Sequence, residues 1–350
     1  MIVAGDIGGT KTHLALFDWK DDRSEPYRQR TFASTDFASF EEVLEVFLKP
    51  PAVSPKDRDR GDEESPASEP AAEEPLKIEA GCFGVAGPVI ENRCRTTNLP
   101  WLVDGHELAT RFEIPKVQLL NDLEATAYGL LVLRPDETSV LNAGSPPKTK
   151  HAIALIAAGT GLGEALLVWD GSRYRPLASE GGHTDFGPNT DLEIELLRHL
   201  RASYLHVSYE RALSGSGLHA IYEFLRDTKK NEPTWLAERL KAGDPAPVIA
   251  EVGLAKQAEI AMQALDIFAS IYGAEAGNLA LKAMALDGVY LGGGIAPKLI
   301  TKLEDGTFVR AFTNKGRYKR LMSSIPVRVI MNQEAGLLGA ASFAAGLARN

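Results

Sequence analysis

A glycine-rich turn between two apolar runs occurs twice in this chain, and no other feature of the sequence restricts the possible folds as strongly. The first copy reads GDIGGTKTHLALFD over residues 5–18 and follows the apolar run 2–4. The second reads IALIAAGTGLGEALLVWD over residues 153–170. In both copies the glycines are followed by a strand-like apolar run that ends in Asp, which is typical of a β-hairpin. The repetition predicts one structural unit used twice.

The glycines of the first turn suit the binding of a polyphosphate. Gly8 and Gly9 carry no side chain and tolerate unusual backbone angles, so a phosphate can approach the backbone N–H groups. The Thr10 hydroxyl adds a donor, and Asp6 can hold Mg²⁺ directly or through water. For the first copy considered alone, the alternative is a tight hairpin without a ligand. The second copy favours two facing hairpins that clamp a nucleotide phosphate chain.

Two better-known phosphate-binding motifs do not fit this turn. The P-loop requires G-x-x-x-x-G-K-[ST], and the segment GGTKT at residues 8–12 does not keep that spacing. The dinucleotide-binding fingerprint requires a helix after its glycines, where this sequence predicts a strand.

Length and composition limit the class of protein. The 350 residues predict about two domains, and 44% hydrophobic and 24% charged residues are ordinary for a globular protein. A net charge of −9 argues against nucleic acid as the main partner. The two cysteines, Cys82 and Cys94, have no zinc-like spacing, so we expect no metal-binding cluster and a reducing, cytoplasmic location. We expect neither a signal peptide nor a membrane-spanning segment.

The remaining patterns predict an α/β fold in two domains. We expect residues 1–120 and a C-terminal helix at 332–350 to form the first domain, and residues 121–331 to form the second. Residues 51–75 are rich in proline and charge and nearly free of large apolar residues, which predicts a flexible surface insertion without a catalytic role. Further strands are predicted at 28–34, 77–89, 116–120, 288–291 and 326–331. One helix is predicted from a cap at Thr35 and Asp36 to its end at Pro50, with an apolar face at 40–48. Further helices are predicted over 104–112, 123–133, 191–204, 216–227, the region 247–285, and 334–349.

Asp122 is the first candidate for a chemical role. It follows the predicted strand 116–120 and precedes a predicted helix. Open α/β sheets bind ligands at the carboxyl ends of their strands, where a carboxylate can accept the proton of an attacking hydroxyl during phosphoryl transfer. The alternative is a purely structural helix N-cap.

Further candidates lie in polar and glycine-rich segments of the second half. Glu180 and His183 flank two glycines, and they are either solvated loop residues or side chains that bind vicinal hydroxyls. Glu210 is either a surface charge or a member of the same site. The glycine-rich segments 214–218 and 292–297 precede predicted helices, and each is a plain turn or a place where a nucleotide base and ribose meet the backbone.

The joint order of these motifs resembles the bacterial-type ATP-dependent glucokinase family of the hexokinase-like, actin-like ATPase superfamily. The resemblance spans almost the whole chain. The motifs that carry it are GDIGGT at 5–10, GVAGPV at 84–89, TTNLPW at 96–101, LLNDLEATAYG at 119–129, GTGLGEALL at 159–167, EGGHTDFGP at 180–188, SYERALSGSGL at 208–218, LGGGIAP at 291–297 and GLLGAA at 336–341.

The resemblance implies a two-domain actin-like (ribonuclease H-like) fold with a sugar site in an interdomain cleft. It implies phosphorylation of glucose by ATP with Mg²⁺, Asp122 as general base, and a possible homodimer. The positions that match the family's sugar-binding residues are Asn98, Asn121, Asp122, Glu180, His183 and Glu210. The positions assigned to the nucleotide are Gly5, Asp6, Ile7, Gly8, Gly9, Thr10, Gly159, Thr160, Gly161, Gly293 and Gly294.

Three departures from the family and its relatives bear on this interpretation. The insertion at 51–75 is unusual, and Lys11 and Thr12 stand where many members have Asn and Ala, which affects the expected phosphate contacts. The cysteine-rich zinc motif of the related repressor, open-reading-frame and kinase family is missing from residues 187–199, which disfavours that branch. Two alternatives remain open: a kinase for mannose, fructose or an N-acetyl hexosamine, and a sugar-sensing regulator on the same fold.

Overall fold

The computed structural model describes residues 1–20, 23–49 and 76–349, so the predicted insertion at 51–75 lies outside the described residues. The chain forms two compact units, one of residues 1–132 with 336–350 and the other of residues 133–335. The first unit thus includes Asp122 and the helix that begins there. The domain division expected from the sequence, at 120 and 332, stays a prediction.

The strands of the first unit form a five-stranded and a three-stranded sheet. In chain order they are β1 (Ile2–Ile7), β2 (Lys11–Phe17), β3 (Pro26–Ala33), β4 (Ala80–Val85), β5 (Val89–Ile90), β6 (Arg93–Arg95), β7 (Leu102–Asp104) and β8 (Val117–Asn121). The larger sheet has the order β3-β2-β1-β4-β8. β1, β2 and β3 are antiparallel, whereas β1, β4 and β8 run parallel. The first glycine turn therefore closes the predicted hairpin.

The second unit repeats this arrangement. Its strands are β9 (Thr138–Asn142), β10 (Ile153–Ala158), β11 (Leu162–Trp169), β12 (Tyr174–Ser179), β13 (Gly288–Gly292) and β14 (Val327–Ile330). They form one sheet in the order β12-β11-β10-β13-β14-β9. As in the first unit, an antiparallel hairpin is followed by parallel strands, here β10, β13 and β14. The two sequence copies thus occupy equivalent places in two similar sheets, which confirms the predicted repeat.

Each predicted helix is present, and the helices at 234–242, 300–303, 307–313 and 319–324 were not predicted. In chain order the helices are α1 (Phe40–Leu48), α2 (Gly105–Arg111), α3 (Asp122–Leu130), α4 (Asp191–Leu200), α5 (Gly215–Lys229), α6 (Thr234–Ala242), α7 (Pro245–Leu254), α8 (Glu259–Ala283), α9 (Ile300–Leu303), α10 (Thr307–Thr313), α11 (Lys319–Ser324) and α12 (Ala335–Arg349). No helix in the described part of the chain is long and apolar enough to cross a membrane.

The predicted cap of α1 was wrong. Its N-cap is Ser39, whose hydroxyl accepts a hydrogen bond from the Glu42 N–H, while the Glu42 carboxylate accepts one from the Ala38 N–H. This reciprocal arrangement satisfies two backbone donors at once, and so it determines where the helix begins. Thr35 and Asp36 instead belong to a short 3₁₀ turn at Ser34–Asp36.

The C-terminal helix α12 packs on the first unit. Leu337, Ala340, Ala341 and Ala344 are buried in one cluster with residues of β1, β2, β4 and α3. The approach to α3 is so close that a β-carbon at Gly339 would overlap the carbonyl oxygen of Ala125. A glycine is therefore required at this helix–helix contact.

Two glycines of α12 offer a matched test of this contact. Gly339→Ala should lower the free energy of unfolding by at least about 1–3 kcal/mol, because the added methyl group meets backbone atoms that cannot move aside easily. Gly346→Ala should be neutral or stabilising by up to about 1 kcal/mol, since a β-carbon there has no atom within 4 Å and alanine favours the helix. Thermal melting of both variants measures the difference. Equal melting temperatures would contradict the packing described here.

Candidate functional site

The first part of the site lies at the carboxyl ends of the three parallel strands of the first unit. The register aligns Ile7 of β1 with Val85 of β4, and Val85 with Asn121 of β8. The segments that leave these strands therefore emerge side by side. They are the glycine turn 8–10, the turn at 86–88 and the start of α3, which is where ligands bind in open α/β sheets.

The glycine turn is held by a pair of hydroxyl groups. Ser34 Oγ donates to the carbonyl oxygen of Gly8 at 2.9 Å and lies 2.9 Å from Thr12 Oγ1, and both side chains are buried. The Ser34 N–H also donates to the carbonyl of Thr10. Thr12 is thus buried behind the turn and helps to hold Ser34, which bonds the turn directly.

The predicted nucleotide-binding residues of this turn divide into two groups. Gly5 and Ile7 lie within β1: Ile7 is buried, and a β-carbon at Gly5 would be 2.6 Å from the Leu14 side chain. Packing within the sheet therefore explains both residues. Gly8, Gly9 and Thr10 form the turn itself, in which the Gly8 N–H donates to the Lys11 carbonyl oxygen and the N–H groups of Gly9 and Thr10 are left for a ligand.

Two of the predicted sugar-binding side chains lie next to these turns. The Asn98 side chain packs against Gly9, where a β-carbon would approach Asn98 Cβ to 2.7 Å. Asn121 Nδ2 donates to the carbonyl oxygen of Gly87 at 3.0 Å, and its Oδ1 accepts from the Leu123 N–H. The structure therefore brings Asn98 next to the glycine turn 8–10, the phosphate turn of the function proposed below, and Asn121 to the start of α3.

Asp122 is the first residue of α3, and the N-cap of that helix is Asn121. The capping role that was the alternative for Asp122 thus belongs mainly to its neighbour, although Asp122 Oδ1 also accepts from the Leu123 N–H at 2.8 Å. Asp122 is accessible to solvent, yet partial desolvation by the protein atoms around it raises the pKa of its carboxyl. A carboxylate with a raised pKa is a stronger base, which suits proton abstraction.

Asp6 lies close enough to Asp122 for the two charges to interact. Desolvation and, to a smaller extent, the Asp122 charge raise the pKa of Asp6 to about 6. A cation held between them would relieve this repulsion. Among the described residues, no three His, Cys, Asp or Glu side chains form a metal-binding group. Mg²⁺ usually takes only one or two carboxylates, with the other ligands supplied by water and substrate phosphates, so Asp6 fits such an ion.

The second part of the site lies in the second unit, where Glu180, His183 and Glu210 come together. Gly181–His183 forms a 3₁₀ turn that packs against β11, and a β-carbon at Gly182 would overlap the carbonyl oxygen of Leu162. His183 Nε2 lies 3.9 Å from Glu180 Oε2, and His183 Nδ1 lies 4.0 Å from Glu210 Oε1. The side chains of Glu180 and His183 are 89% and 59% exposed, so both are available to a ligand.

Glu210 connects this group to the second glycine turn. Its Oε2 accepts from the Leu162 N–H at 3.0 Å, and a β-carbon at Gly161 would approach the same oxygen to 2.5 Å. Gly161 is therefore needed for the close contact with Glu210. Glu210 Oε1 faces His183. One oxygen of this carboxylate therefore holds the second glycine turn, while the other remains available as a hydrogen-bond acceptor.

The other glycines of the second unit border a cavity of about 750 Å³. Its walls include Gly159, Thr160, Ser216, Gly294 and Lys298. Gly293 has a positive φ of 77°, and a β-carbon there would overlap the Ala158 carbonyl oxygen, so it shapes the turn without lining the cavity. The volume is within the range of roughly 300–1,000 Å³ typical of small-molecule sites, and a β-carbon at Gly159 or Gly294 would meet no atom within 4 Å, so there is space for a nucleotide beside both glycines.

Sequence reasoning missed the residues that support these groups. Ser34 follows β3 directly, and Glu164 lies within β11. Both side chains are buried, and nothing in the sequence distinguished them from ordinary polar residues of a strand. Glu164 lies under the turn Gly181–His183 (the sugar turn of the function proposed below), since a β-carbon at Gly181 would overlap its Oε2. Lys298 and His219 border the cavity from the starts of helical segments, and nothing in their spacing indicated this.

Comparison with known proteins agrees with the fold and the motif order. A family model described as glucokinase matches residues 3–347. A glucokinase of Synechocystis sp. is 39% identical, over 98% of this chain and 97% of the relative. A glucokinase of Nostoc sp. is 38% identical, over 99% of both chains.

Solved structures lead to the same conclusion. The crystal structure of a glucokinase from an Antarctic psychrotroph is 28% identical and superposes with a TM-score of 0.80, over 99% of this chain and 98% of that one. The α/β, actin-like fold class expected from the sequence is confirmed, and so is the expectation of an enzyme. The chain belongs to the glucokinase family.

Proposed function

We propose that this chain transfers the γ-phosphoryl group of ATP to the 6-hydroxyl of glucose and releases ADP and glucose 6-phosphate. The observation that carries the proposal is the position of Asp122. It is an accessible carboxylate with a raised pKa at the carboxyl end of β8, beside Asp6 and in the same unit as the phosphate turn. The full-length similarity to glucokinases supports glucose as the substrate.

In this mechanism Asp122 accepts the proton of the 6-hydroxyl as that oxygen attacks the γ-phosphorus. The new O–P bond forms while the bond between the γ-phosphorus and the β–γ bridging oxygen breaks, and the electron pair leaves with ADP. Backbone N–H groups of the turn at Gly9 and Thr10 bind phosphate oxygens, while the Gly8 N–H donates to the Lys11 carbonyl oxygen and closes the turn. Asp6 would hold Mg²⁺, which when bound supplies positive charge that stabilises the transferring phosphoryl group.

We assign sugar recognition to the hydrogen-bonding side chains beside the two turns: Asn98, Asn121, Glu180, His183 and Glu210. Carboxylates accept hydrogen bonds from hydroxyl groups, and a substrate that lacks one of these hydroxyls leaves an acceptor unpaired. We assign the adenosine part of ATP to the cavity beside Gly159, Thr160 and Gly294, and the phosphates also to Gly161. A cytoplasmic location and a homodimer remain proposals.

A coupled assay of ADP formation with Mg²⁺, ATP and a panel of hexoses tests the reaction. Glucose should give the highest kcat/KM, and mannose, fructose and N-acetylglucosamine should give lower values. Release of ADP that does not depend on any sugar would overturn the proposal. A higher kcat/KM with another hexose would keep the mechanism and change the substrate.

Glu164 is expected to act on this site indirectly. It is 1% exposed, lies close enough to the buried Glu275 for their charges to interact, and lies directly under Gly181. Burial first, and then the Glu275 charge, raise the pKa of Glu164 to about 7. At neutral pH its protonation state therefore depends on small changes in its surroundings. The turn Gly181–His183 packs directly against Glu164, so a change in this acid pair should reach the proposed sugar residues.

The Asp122→Asn variant tests the general base. Because Asn121 caps α3, the variant should fold and melt like the parent and should bind glucose. Asn cannot accept the hydroxyl proton, so kcat should fall by about 10²–10⁴-fold. Turnover, calorimetric glucose binding and thermal melting are measured together. A folded, glucose-binding variant with near-normal kcat would remove Asp122 from the mechanism.

The Glu180→Gln variant tests sugar recognition. It keeps the size of the side chain but removes its charge, so glucose should bind about 10- to 100-fold more weakly, as expected when a charged hydrogen-bond partner is lost. Glu195→Gln, at an exposed position of α4, is the matched control and should bind glucose like the parent. Unchanged glucose affinity in Glu180→Gln would exclude Glu180 from the sugar site.

The Glu164→Gln variant tests the buried acid pair by its pH dependence. A pKa raised in the folded state means that the unfolded chain loses its proton first as pH rises. The parent should therefore lose about 2–3 kcal/mol of stability relative to Glu164→Gln between pH 4.5 and pH 7, and no more above that. Urea unfolding at a series of pH values measures this. Parallel stability curves for the two proteins would show that Glu164 titrates normally.

A further inference from the structure

The second unit contains another cavity, of about 740 Å³, that none of the residues assigned to glucose, ATP or Mg²⁺ lines. One wall is the segment 187–190, which leads into α4, and another is α8. The third wall is α10 with the residues that follow it. We name it the α8–α10 cavity. It shares no lining residue with the cavity beside Gly159.

Positive charge dominates the walls of this cavity. Arg310, Lys315 and Lys319 line it, and within the described residues none of the three has a carboxylate within 4.0 Å. The acidic residue of the wall is Glu193, and its Oε2 accepts from the N–H groups of Asn189 and Thr190. That carboxylate is therefore engaged at the start of α4. The cavity presents three cations without a contacting counter-ion.

Lys315 is the most unusual of the three. Its Nζ is partly buried and donates to two neutral acceptors, the Ala274 carbonyl oxygen at 2.8 Å and Asn278 Oδ1 at 2.6 Å. Burial lowers the pKa of this ammonium, although the charges of Glu275 and Glu193 act in the opposite direction. A partly desolvated cation of this kind is stabilised most by an anion that contacts it directly.

We propose that the α8–α10 cavity is a second binding site, and that it takes a small phosphate monoester on a hydroxylated carbon chain. A phosphate dianion matches several cations at once and accepts hydrogen bonds from Arg and Lys. The cavity is too large for phosphate alone and too small for a polymer. Ser270, Thr307 and Asn314 supply polar groups for hydroxyls on the rest of the ligand.

A chain of hydrogen bonds leads from this cavity towards the proposed sugar residues. Lys315 donates to Asn278 Oδ1, and Asn278 Nδ2 donates to the Tyr209 hydroxyl at 3.0 Å and to Glu275 Oε2 at 2.8 Å. Tyr209 precedes Glu210, and Glu275 is the partner of Glu164 under the sugar turn. An anion that draws Lys315 away from Asn278 changes these contacts. Occupation of the cavity should therefore alter glucose affinity, a consequence that rests on the proposed function.

Calorimetric titration of the full chain with glycerol 3-phosphate tests the site. Glucose and a non-hydrolysable ATP analogue are present, so that the proposed substrate sites are filled. We expect saturable binding to one site, weaker binding of inorganic phosphate, and none of glycerol. The absence of saturable binding, or equal binding of inorganic phosphate and glycerol 3-phosphate, would overturn the proposal. The heat of probe binding does not depend on catalysis, so this result is independent of any failure of the proposed reaction.

Substitutions of the cavity's basic residues test whether glycerol 3-phosphate binds in the α8–α10 cavity. Arg310→Met and Lys319→Met change exposed residues and should fold normally, and each should weaken glycerol 3-phosphate binding about tenfold. Lys315→Met should weaken it at least as much. Lys241→Met removes an exposed charge elsewhere in the unit and should leave the affinity unchanged. If Lys241→Met weakens binding as much as Arg310→Met and Lys319→Met do, the binding is nonspecific and the site is refuted.

The coupling is read from glucose titrations with and without saturating glycerol 3-phosphate. A change of threefold or more in the glucose dissociation constant in the parent, lost in Asn278→Ala, supports the hydrogen-bond chain as its route. An unchanged glucose constant with a filled cavity would overturn the coupling.

Discussion

The parallel pairing of β1, β4 and β8 is the constraint on which the first half of the site depends. Backbone hydrogen bonds fix Ile7, Val85 and Asn121 in one row, and the chain must leave all three strands at the same edge. The phosphate turn and the start of α3 are neighbours for this reason alone. Asp6 is one residue before the end of β1 and Asp122 is one residue after the end of β8, so the same register brings two carboxylates close together.

Close approach through glycine is the second organising principle. Gly84 allows α3 to approach β4, since a β-carbon there would be 2.9 Å from Ala125 Cβ. Gly339 allows α12 to cover α3 from the other side, and Gly182 lets the sugar turn lie directly on β11. In each case two segments come into contact so closely that any side chain at the glycine would keep them apart. The glycine therefore sets the position of the segment that packs there. The family motifs are rich in glycine partly because of this packing, beyond any contact with a ligand.

Carboxyl groups with raised pKa values mark both halves of the proposed site. In the first unit Asp6 and Asp122 form one pair, and the pKa of both is raised; in the second unit the pKa of Glu164 is raised by burial and by the charge of its neighbour Glu275. Ionising either pair costs free energy, because the carboxylates are desolvated and repel each other. Such arrangements are concentrated at functional sites, where charge is used in chemistry or in positioning. The first pair lies where a cation and a hydroxyl proton are expected. The second lies where it supports Gly181 and, through Asn278, meets the α8–α10 cavity.

The sequence by itself determined the repeated hairpins and most of the strands and helices, because these follow from local periodicity and from glycine positions, and it determined the family through the order of its motifs. It did not indicate β9, α6, α9, α10 or α11. The tertiary structure decided how the candidate residues are used. It gave the N-cap of α3 to Asn121, placed Gly5 in the sheet and not in the glycine turn 8–10, and made Ser39 the N-cap of α1. It also brought Glu164 under Gly181, a contact between strand and turn that burial creates. The α8–α10 cavity combines residues from 187 to 319, and only the packing of α4, α8 and α10 brings them to one surface.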